Sequence, residues 1–276
     1  LVRPDDLRDR RIPGLDPDAI RGVHIEEAEA VLDFHLDDRT GWQLAAPLRA
    51  PADSAAVEDL LRTWADVRLV AFPQPGSTNP PPAFSRTIRL VSRDPAVPLP
   101  VLRLGPCPQD EASACIAIEG DSTVAVAAPR TLLDCPLDPL LYRSREILSV
   151  PAEDVSGLRL VSGERTLQAS RDPATGQWTP GETEVEPVLA GLAPLRADRL
   201  LASAAPDGLP AEFKSPFLSL TVQLRGQSGL ATTLLVGDEL SPGGARRAVI
   251  RGRDLLFSLS PETIQQLLAP LPPEPE

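Results

Sequence analysis

The chain has 276 residues, of which 42% are hydrophobic and 24% are charged, so it can bury a substantial core and is not disordered throughout. Its length allows one large domain or two domains of ordinary size. The formal net charge of −12 and the aromatic content of only 4% argue against a nucleic-acid partner, because binding to a phosphate backbone requires a basic surface.

The chain begins with a charged segment that prolines interrupt, and we interpret residues 1–11 as a lead-in strap. Alternating apolar positions then predict three short strands, in GVHIEE (22–27), AVLDFHL (30–36) and GWQLAAP (41–47). The sequence DDRTG (37–41), between the last two strands, has the Asp and Gly that a tight turn needs.

An amphipathic helix is predicted over residues 51–69, with Asp53 or Ser54 as its N-cap. The loop FPQPGSTNPPPAF (72–84) follows, because three consecutive prolines fit neither a helix interior nor a central strand. A second, short helix is predicted to begin with Pro129 in its first turn and to end near Pro136. The apolar stripe of the first helix contains Val57, Leu60, Leu61, Trp64 and Val67, and the strands predicted between the loop and the second helix cover 87–93, 99–105, 114–120 and 123–128.

From about residue 143 the same order of elements starts again. Alternating patterns predict strands over 154–163 and 165–172, and Trp178 follows Trp42 by 136 residues in a similar short strand. The helix of this half begins about eight residues sooner after its tryptophan than the first helix does. Its apolar positions are Val185, Val188, Leu189 and Leu192.

Two prolines constrain this helix of the second half. We expect Pro187 to lie in its first turn, because a proline further inside removes a backbone hydrogen bond, and we expect Pro194 to limit its length. A loop at 207–216 then precedes four strands and a closing helix that starts with Ser260 as N-cap and Pro261. The four strands are predicted over 217–226, 231–237, 246–252 and 254–260.

The repeat can be aligned without a gap over residues 102–134 and 234–266. The polar side chains do not stay in step, since Asp121 aligns with Arg253. Identical positions are mainly turn glycines, a helix-starting proline and aliphatic residues, which backbone geometry and burial select. The repeat is therefore interpreted as structural and not catalytic. The identical positions are Leu102, Gly105, Ile118, Gly120, Pro129 and Thr131, each with its partner 132 residues later.

These patterns predict an α+β fold made of two tandem repeated modules, 12–142 and 143–271, with a disordered tail at 272–276. Each module is expected to be a mainly antiparallel sheet with about two helices packed on it, because adjacent strands are separated by short turns and few helices. A single continuous sheet that spans both halves is the alternative architecture.

No residue of the chain is predicted to be catalytic, cofactor-binding or metal-ligating, and no cofactor is expected. The two histidines, His24 and His35, are interpreted as solvent-facing strand residues, although they could pair as ligands across a hairpin. The sequence has no GxSxG, GxxxxGK[ST] or HExxH motif. Trp42 and Trp178 are interpreted as anchors of a hairpin on a helix, with a binding role as the alternative.

Two further sets of residues have plain interpretations. The sequence LSPGGARR (240–247) could hold an anion but is better explained as a hairpin turn. The acidic pairs are interpreted as a solvated acidic surface, because acid–base catalysis needs buried carboxylates at a defined separation. These pairs are Asp5 with Asp6, Glu26 with Glu27, and Asp37 with Asp38.

The three cysteines have no CxxC spacing. A bridge between Cys107 and Cys115 on neighbouring strands is possible, but buried free thiols are the favoured interpretation of Cys107, Cys115 and Cys135.

Residues 19–69 resemble the opening of the domain of unknown function 4340 family. The resemblance lies in a strand pair, a Gly-Trp-x-Leu strand that ends in Pro47, and a Pro-Ala-Asp sequence before a helix with paired leucines. Residues 142–160 resemble the middle of that family, and the resemblance covers about 12–271. The second half departs from the pattern, because WTPGETEVEP lacks the Leu-x-x-Pro and Pro-Ala-Asp sequences.

The resemblance implies a bacterial protein that one N-terminal helix anchors in the inner membrane, with the repeated region on the periplasmic side. Family members are often encoded beside ABC-transporter permeases and gliding-motility-type auxiliary proteins, and no catalytic residues are established for them. The chain contains no methionine and begins at Leu1, so we expect a trimmed or processed form; the removed piece is such an anchor, or else a signal peptide, a tag or only an initiator methionine.

The expected function is therefore that of a non-enzymatic extracytoplasmic interaction or scaffold module with membrane protein partners, an ABC permease or its auxiliary subunit. One alternative is a periplasmic binding protein for a small ligand or glycan. Another is a hydrolase with an unrecognised carboxylate site.

Overall fold

A computed structural model describes residues 9–12, 15–72, 82–108, 110–120, 124–202, 210–225 and 231–272. The chain divides into two compact units, Leu1–Ser144 and Arg145–Glu276. Most of the predicted strap and of the predicted loop at 72–84, and nearly all of the predicted tail, lie outside the described residues.

The first unit contains a nine-stranded sheet in which every strand pairs antiparallel with its neighbours. Its strand order is β4-β3-β2-β1-β6-β7-β8-β9-β5. The strands are β1 Ile20–Glu27, β2 Ala30–Asp37, β3 Gly41–Ala46, β4 Ala50–Pro51, β5 Arg68–Ala71, β6 Arg86–Ser92, β7 Val101–Cys107, β8 Asp110–Ile118 and β9 Val124–Ala128, and the helices are α1 Ser54–Ala65 and α2 Thr131–Asp134.

The core of this unit follows from the alternation that the sequence displays. On β1, Val23 and Ile25 are buried, and they lie opposite the buried Phe34 and Leu32 of β2. Helix α1 contributes three buried side chains to the same hydrophobic cluster. These side chains belong to Val57, Leu61 and Trp64.

Helix α1 is shorter than the predicted range of 51–69. The carboxylate of Asp53 accepts a hydrogen bond from the amide of Ala56 at 3.3 Å, so Asp53 is the N-cap, as predicted. The helix ends at Ala65 because Arg68 already pairs with β9. Val67 is buried, but it lies beyond the helix, and its assignment to the helical stripe was wrong.

Helix α2 begins at Thr131, two positions after the proline that was expected to start it. Pro129 precedes the N-cap residue Arg130 and does not lie in the first turn, so that prediction was wrong. The reason is that β9 stays paired with β5 as far as Ala128, and the chain leaves the sheet only at Pro129. The helix ends at Asp134, two residues before Pro136, as predicted.

The second unit contains an eight-stranded antiparallel sheet in the order β13-β12-β11-β16-β17-β18-β19-β15, and a separate two-stranded sheet of β10 and β14. A sheet-rich α+β fold is therefore confirmed, and the large sheets are two, one in each unit, and not a single one. The strands are β10 Glu146–Leu148, β11 Val155–Ser162, β12 Arg165–Arg171, β13 Trp178–Thr179, β14 Leu195–Arg196, β15 Arg199–Ala202, β16 Leu218–Leu224, β17 Ala231–Glu239, β18 Arg246–Ile250 and β19 Leu256–Leu259, and the helices are α3 Glu182–Gly191 and α4 Pro261–Leu268.

Helix α3 carries Pro187 in its interior and not in its first turn, because the helix begins as early as Glu182. A proline in a helix interior costs about 3 kcal/mol. Burial of Val185, Val188 and Leu192, all at 0% exposure, offsets this cost. Helix α4 agrees with the prediction, since the Ser260 hydroxyl caps the amide of Thr263 at 3.3 Å.

Two irregularities occur at corresponding places in the two large sheets. The pairing of β1 with β6 shifts register at Gly22, and the pairing of β11 with β16 shifts at Gly157. The pairing of β5 with β9 shifts after Leu69, and the pairing of β15 with β19 shifts after Leu200. Such bulges bend a strand at a defined position, so each sheet is bent at the same two points of its strand order.

A third common feature is a glycine over which the chain crosses. A Cβ atom on Gly105 of β7 would lie 2.0 Å from the carbonyl oxygen of Ala83. A Cβ atom on Gly237 of β17 would lie 2.9 Å from a carboxylate oxygen of Glu212. At Gly105 the backbone of the segment before the preceding strand leaves no room for a Cβ atom, whereas at Gly237 the near atom is the end of the Glu212 side chain, which can move.

Candidate functional site

A groove of about 530 Å³ lies in the second unit. It lies between helix α3 and the short 3₁₀ turn at Ala152–Asp154 that precedes β11. Its lining residues include Glu153, Arg171, Trp178, Glu186, Leu189 and Ala190.

Arg171 and Trp178 are placed together by the pairing of β12 with β13, where they lie directly opposite each other. The guanidinium carbon of Arg171 is 5.9 Å from the centre of the indole ring, a cation–π distance. Its Nε donates to the carbonyl of Gly176 at 2.7 Å and its Nη1 to the carbonyl of Ala152 at 3.3 Å. Arg171 therefore ties the β12–β13 turn to the 3₁₀ turn.

Trp178 is only 7% exposed, and it packs in the same hydrophobic cluster as Val185 and Leu189 of α3. Trp42 is 3% exposed and belongs to the core cluster of the first unit. Both tryptophans thus anchor their short strands in the core, as the favoured interpretation predicted. Trp178 in addition forms part of the groove wall.

The rim of the groove is acidic. Glu153 and Glu186 are exposed carboxylates on its two sides, whereas Leu189 and Ala190 supply an apolar wall. The described lining residues include no cysteine, histidine or hydroxyl group. This arrangement suits a ligand with a basic group beside a small apolar part, and it supplies no nucleophile.

The two histidines lie on the β1–β2 hairpin. His24 is opposite Asp33, and His35 is opposite Gly22, so the histidines are diagonal neighbours. The nitrogens of His24 lie 3.6 Å from a carboxylate oxygen of Asp33 and 3.9 Å from one of Glu26. Among the described residues, no group of three or more His, Cys, Asp or Glu side chains is arranged to hold a metal ion.

The turn predicted at DDRTG is formed by its first aspartate. The Thr40 hydroxyl and the amide of Arg39 donate to the carboxylate of Asp37, at 2.8 and 2.9 Å, and hold its pKa below the ordinary value. Asp172 has the same role in the β12–β13 turn, where the amides of Thr175 and Ala174 lower its pKa. Both carboxylates are exposed, so the lowered pKa values report turn geometry and not a catalytic pair.

The acidic pairs are only partly free in solvent. Glu26 forms an ion pair with Arg89 at 3.3 Å, and Glu27 forms one with Arg86 at 2.6 Å. The Asp5–Asp6 pair lies outside the described residues.

A buried arginine that the sequence reasoning missed organises the end of α2. The side chain of Arg86 is 4% exposed, its Nη1 donates to the carbonyls of Leu132 and Cys135 at 2.9 and 3.0 Å, and its Nη2 binds Glu27. Arg86 stands in the inward-facing register of the buried Ile88, and this alternation was the signal that could have revealed it.

The surroundings of Arg86 contain the free thiol. Burial raises the pKa of the Cys135 thiol and also that of the nearby Tyr142 hydroxyl, which donates to the carbonyl of Pro136 at 3.1 Å. With both groups protonated and enclosed, this cluster is a structural one.

Cys107 and Cys115 are joined by a disulfide, with their Cα atoms 5.0 Å apart. The favoured interpretation as free thiols was therefore wrong for these two cysteines and holds for Cys135, which is free and buried. The reason is the pairing of β7 with β8, in which Cys115 lies opposite Gly105, two residues before Cys107 on the same strand.

The sequence LSPGGARR forms a hairpin turn, in which the amide of Leu240 donates to the carbonyl of Ala245 at 2.8 Å. The guanidinium of Arg246 binds Glu239 at 2.6 Å and lies 3.6 Å from the centre of the Phe217 ring. The turn interpretation is confirmed, and Arg246 is engaged within the protein.

Comparisons with protein-family models, with curated proteins and with solved structures find no match to this chain. Across the part of the chain that the structure describes, every helix is too short or too polar to cross a bilayer.

Proposed function

We propose that the chain is a non-enzymatic, extracytoplasmic interaction module built from two tandem copies of one α+β fold. The observation that carries this proposal is the recurrence of the same strand order and the same two bulges in both units. What recurs is backbone geometry, whereas a duplicated enzyme would more often keep its reactive side chains.

Several residues support the duplication in detail. Gly105 and Gly237 are identical positions of the ungapped alignment, and the segment before the preceding strand lies close to each, with its backbone at Gly105 and with the Glu212 side chain at Gly237. The carboxylates of Asp37 and Asp172, whose pKa values are lowered, accept the hydrogen bonds that close equivalent turns. A buried tryptophan follows each turn. The features that recur in both units are bulges, turns and close approaches of the chain, which shape a sheet.

The disulfide between Cys107 and Cys115 supports the extracytoplasmic location, because structural disulfides persist mainly in oxidising compartments. The resemblance to the domain of unknown function 4340 family extends this to an inner-membrane anchor and to membrane protein partners. An ABC permease or its auxiliary subunit is the partner that we propose.

This proposal is tested by crosslinking the full-length protein in membranes of its own host and identifying what is recovered with it. Recovery of a permease or an auxiliary subunit supports the scaffold role. Recovery of cytoplasmic proteins alone contradicts the proposed location.

A second candidate is a binding protein for a small ligand or glycan, and the groove beside Trp178 favours it. Its test is titration of the purified chain with glycans and small amphiphilic ligands, followed by the NMR signals of the Trp178 indole. Micromolar binding that shifts those signals supports this candidate, and unchanged signals count against it.

A further inference from the structure

The two large sheets differ by one strand at one edge. The first sheet ends in β4, and the second sheet ends in β13, which corresponds to β3 in the common order. Helix α1 begins at Ser54, twelve residues after Trp42, and the intervening chain includes β4. Helix α3 begins at Glu182, four residues after Trp178, which leaves no length for such a strand.

In the first unit the segment around β4 covers the edge of β3. The amide of Ala52 donates to the carbonyl of Trp42 at 2.9 Å, and Ala50 lies opposite Leu44. Ala50 and Ala52 are 9% and 7% exposed, so this edge takes small side chains. Arg49, just before β4, is exposed.

The backbone of Trp178 faces the edge of β13 with which no described strand pairs. The amide of Asp172 donates to the carbonyl of Gln177 at 2.9 Å, so these two residues form a hydrogen-bonded pair. Hydrogen-bonded and non-hydrogen-bonded pairs alternate in antiparallel sheets, so the N–H and C=O groups of Trp178 point away from β12. On that side, the strands of the described chain supply no partner.

The same residue forms part of the groove wall. The edge of β13 thus offers backbone hydrogen bonds next to a pocket for side chains, the combination by which proteins add a peptide strand to a sheet. The carboxylates of Glu153 and Glu186 stand at this pocket, and its arginine, Arg171, already binds two carbonyls. The groove therefore presents a negative charge to a partner, and a basic side chain of the partner would complement it.

We propose that the free edge of β13 and the adjoining groove bind an extended peptide segment of a partner protein that carries small residues and a basic side chain. This segment takes the place that Arg49–Ala52 holds in the first unit. The inference rests on the proposed function, since it uses the correspondence of the two units and names the chemistry of the partner.

The probe is a synthetic peptide with the sequence PLRAPAD, which is that of residues 47–53. We expect it to bind the whole chain, to shift the NMR signals of Trp178, and to lose at least tenfold in affinity when its Arg is replaced by Glu. Glu186→Arg should weaken binding by a similar factor. Glu164→Arg, at the opposite end of β12, is the matched control and should leave binding unchanged.

A second variant keeps the test independent of these charges. Inserting the sequence of residues 48–53 between Pro180 and Gly181 should cover the edge and abolish peptide binding while circular dichroism stays unchanged. Undiminished binding by a folded insertion variant, or binding that ignores Glu186→Arg, would overturn the proposal. If the peptide does not bind but crosslinking still recovers a membrane partner, this edge is refuted as the site and the interaction module stands.

Discussion

The buried arginine of the first unit gives the sharpest stability prediction. Arg86→Ala removes two hydrogen bonds, to the carbonyls of Leu132 in α2 and of Cys135 just after it, and an ion pair with Glu27. Removing one partner of a buried ion pair costs about 3–5 kcal/mol. Because the Glu27 side chain is 32% exposed and can regain water, we expect the lower end, about 3 kcal/mol of unfolding free energy.

The measurement is urea unfolding followed by circular dichroism, with hydrogen exchange of β6 and α2 to locate the loss. Arg89→Ala is the control on the same strand, since Arg89 is 50% exposed and forms its ion pair in solvent. It should cost less than about 1 kcal/mol. If Arg86→Ala costs no more than Arg89→Ala, the reasoning that the guanidinium holds α2 is refuted.

Substitutions at three other sets of residues have predicted effects on the stability of the fold. Replacing Cys107 and Cys115 together by Ser should lower the unfolding free energy by about 2–3 kcal/mol in urea titrations, because a short loop is no longer closed in the unfolded chain; an equal stability of oxidised and reduced protein would contradict this. Asp53→Ala should cost about 1 kcal/mol and raise the exchange rates of the first amides of α1, and unaffected amides would show that the cap is dispensable. The folded-state pKa values of Asp37 and Asp172 lie below the ordinary value. Their ionised carboxylates therefore stabilise the fold at a pH above the ordinary pKa, and this stabilisation is lost as the pH falls through the folded-state pKa. The double Asn variant should therefore show a flatter fall of the urea midpoint between about pH 5 and about pH 2.5, and an unchanged slope would refute the assignment.

The elements that could be predicted are those in which the apolar pattern of the segment matches the burial observed in the structure. Strand β2 alternates throughout and β1 alternates from Val23 onward, and α4 has a Ser260 cap followed by Pro261. The short edge strands carry no such signal, since β5 has four residues of which only Leu69 is buried. They form because β9 and β19 offer backbone partners, which is a property of the sheet and not of the segment.

The groove was beyond sequence reasoning for a related reason. Trp178 was recognised as a repeated residue, and the shorter connection to the next helix was visible. The order of the strands decides that this shorter connection leaves one edge of β13 without a described strand partner. The apolar pattern of a single segment does not contain the order of the strands. The disulfide was missed likewise, because the register that places Cys115 opposite Gly105, near Cys107, is decided by strand pairing.

Quantitative crosslinking of the full-length protein in host membranes tests most directly the proposal that this chain is an interaction module for a membrane partner. We expect that a permease or its auxiliary subunit is enriched, and that a chain whose β13 edge is covered by the inserted segment loses this enrichment. The proposal is contradicted if no membrane protein is enriched while the purified chain binds a glycan or small molecule with micromolar affinity.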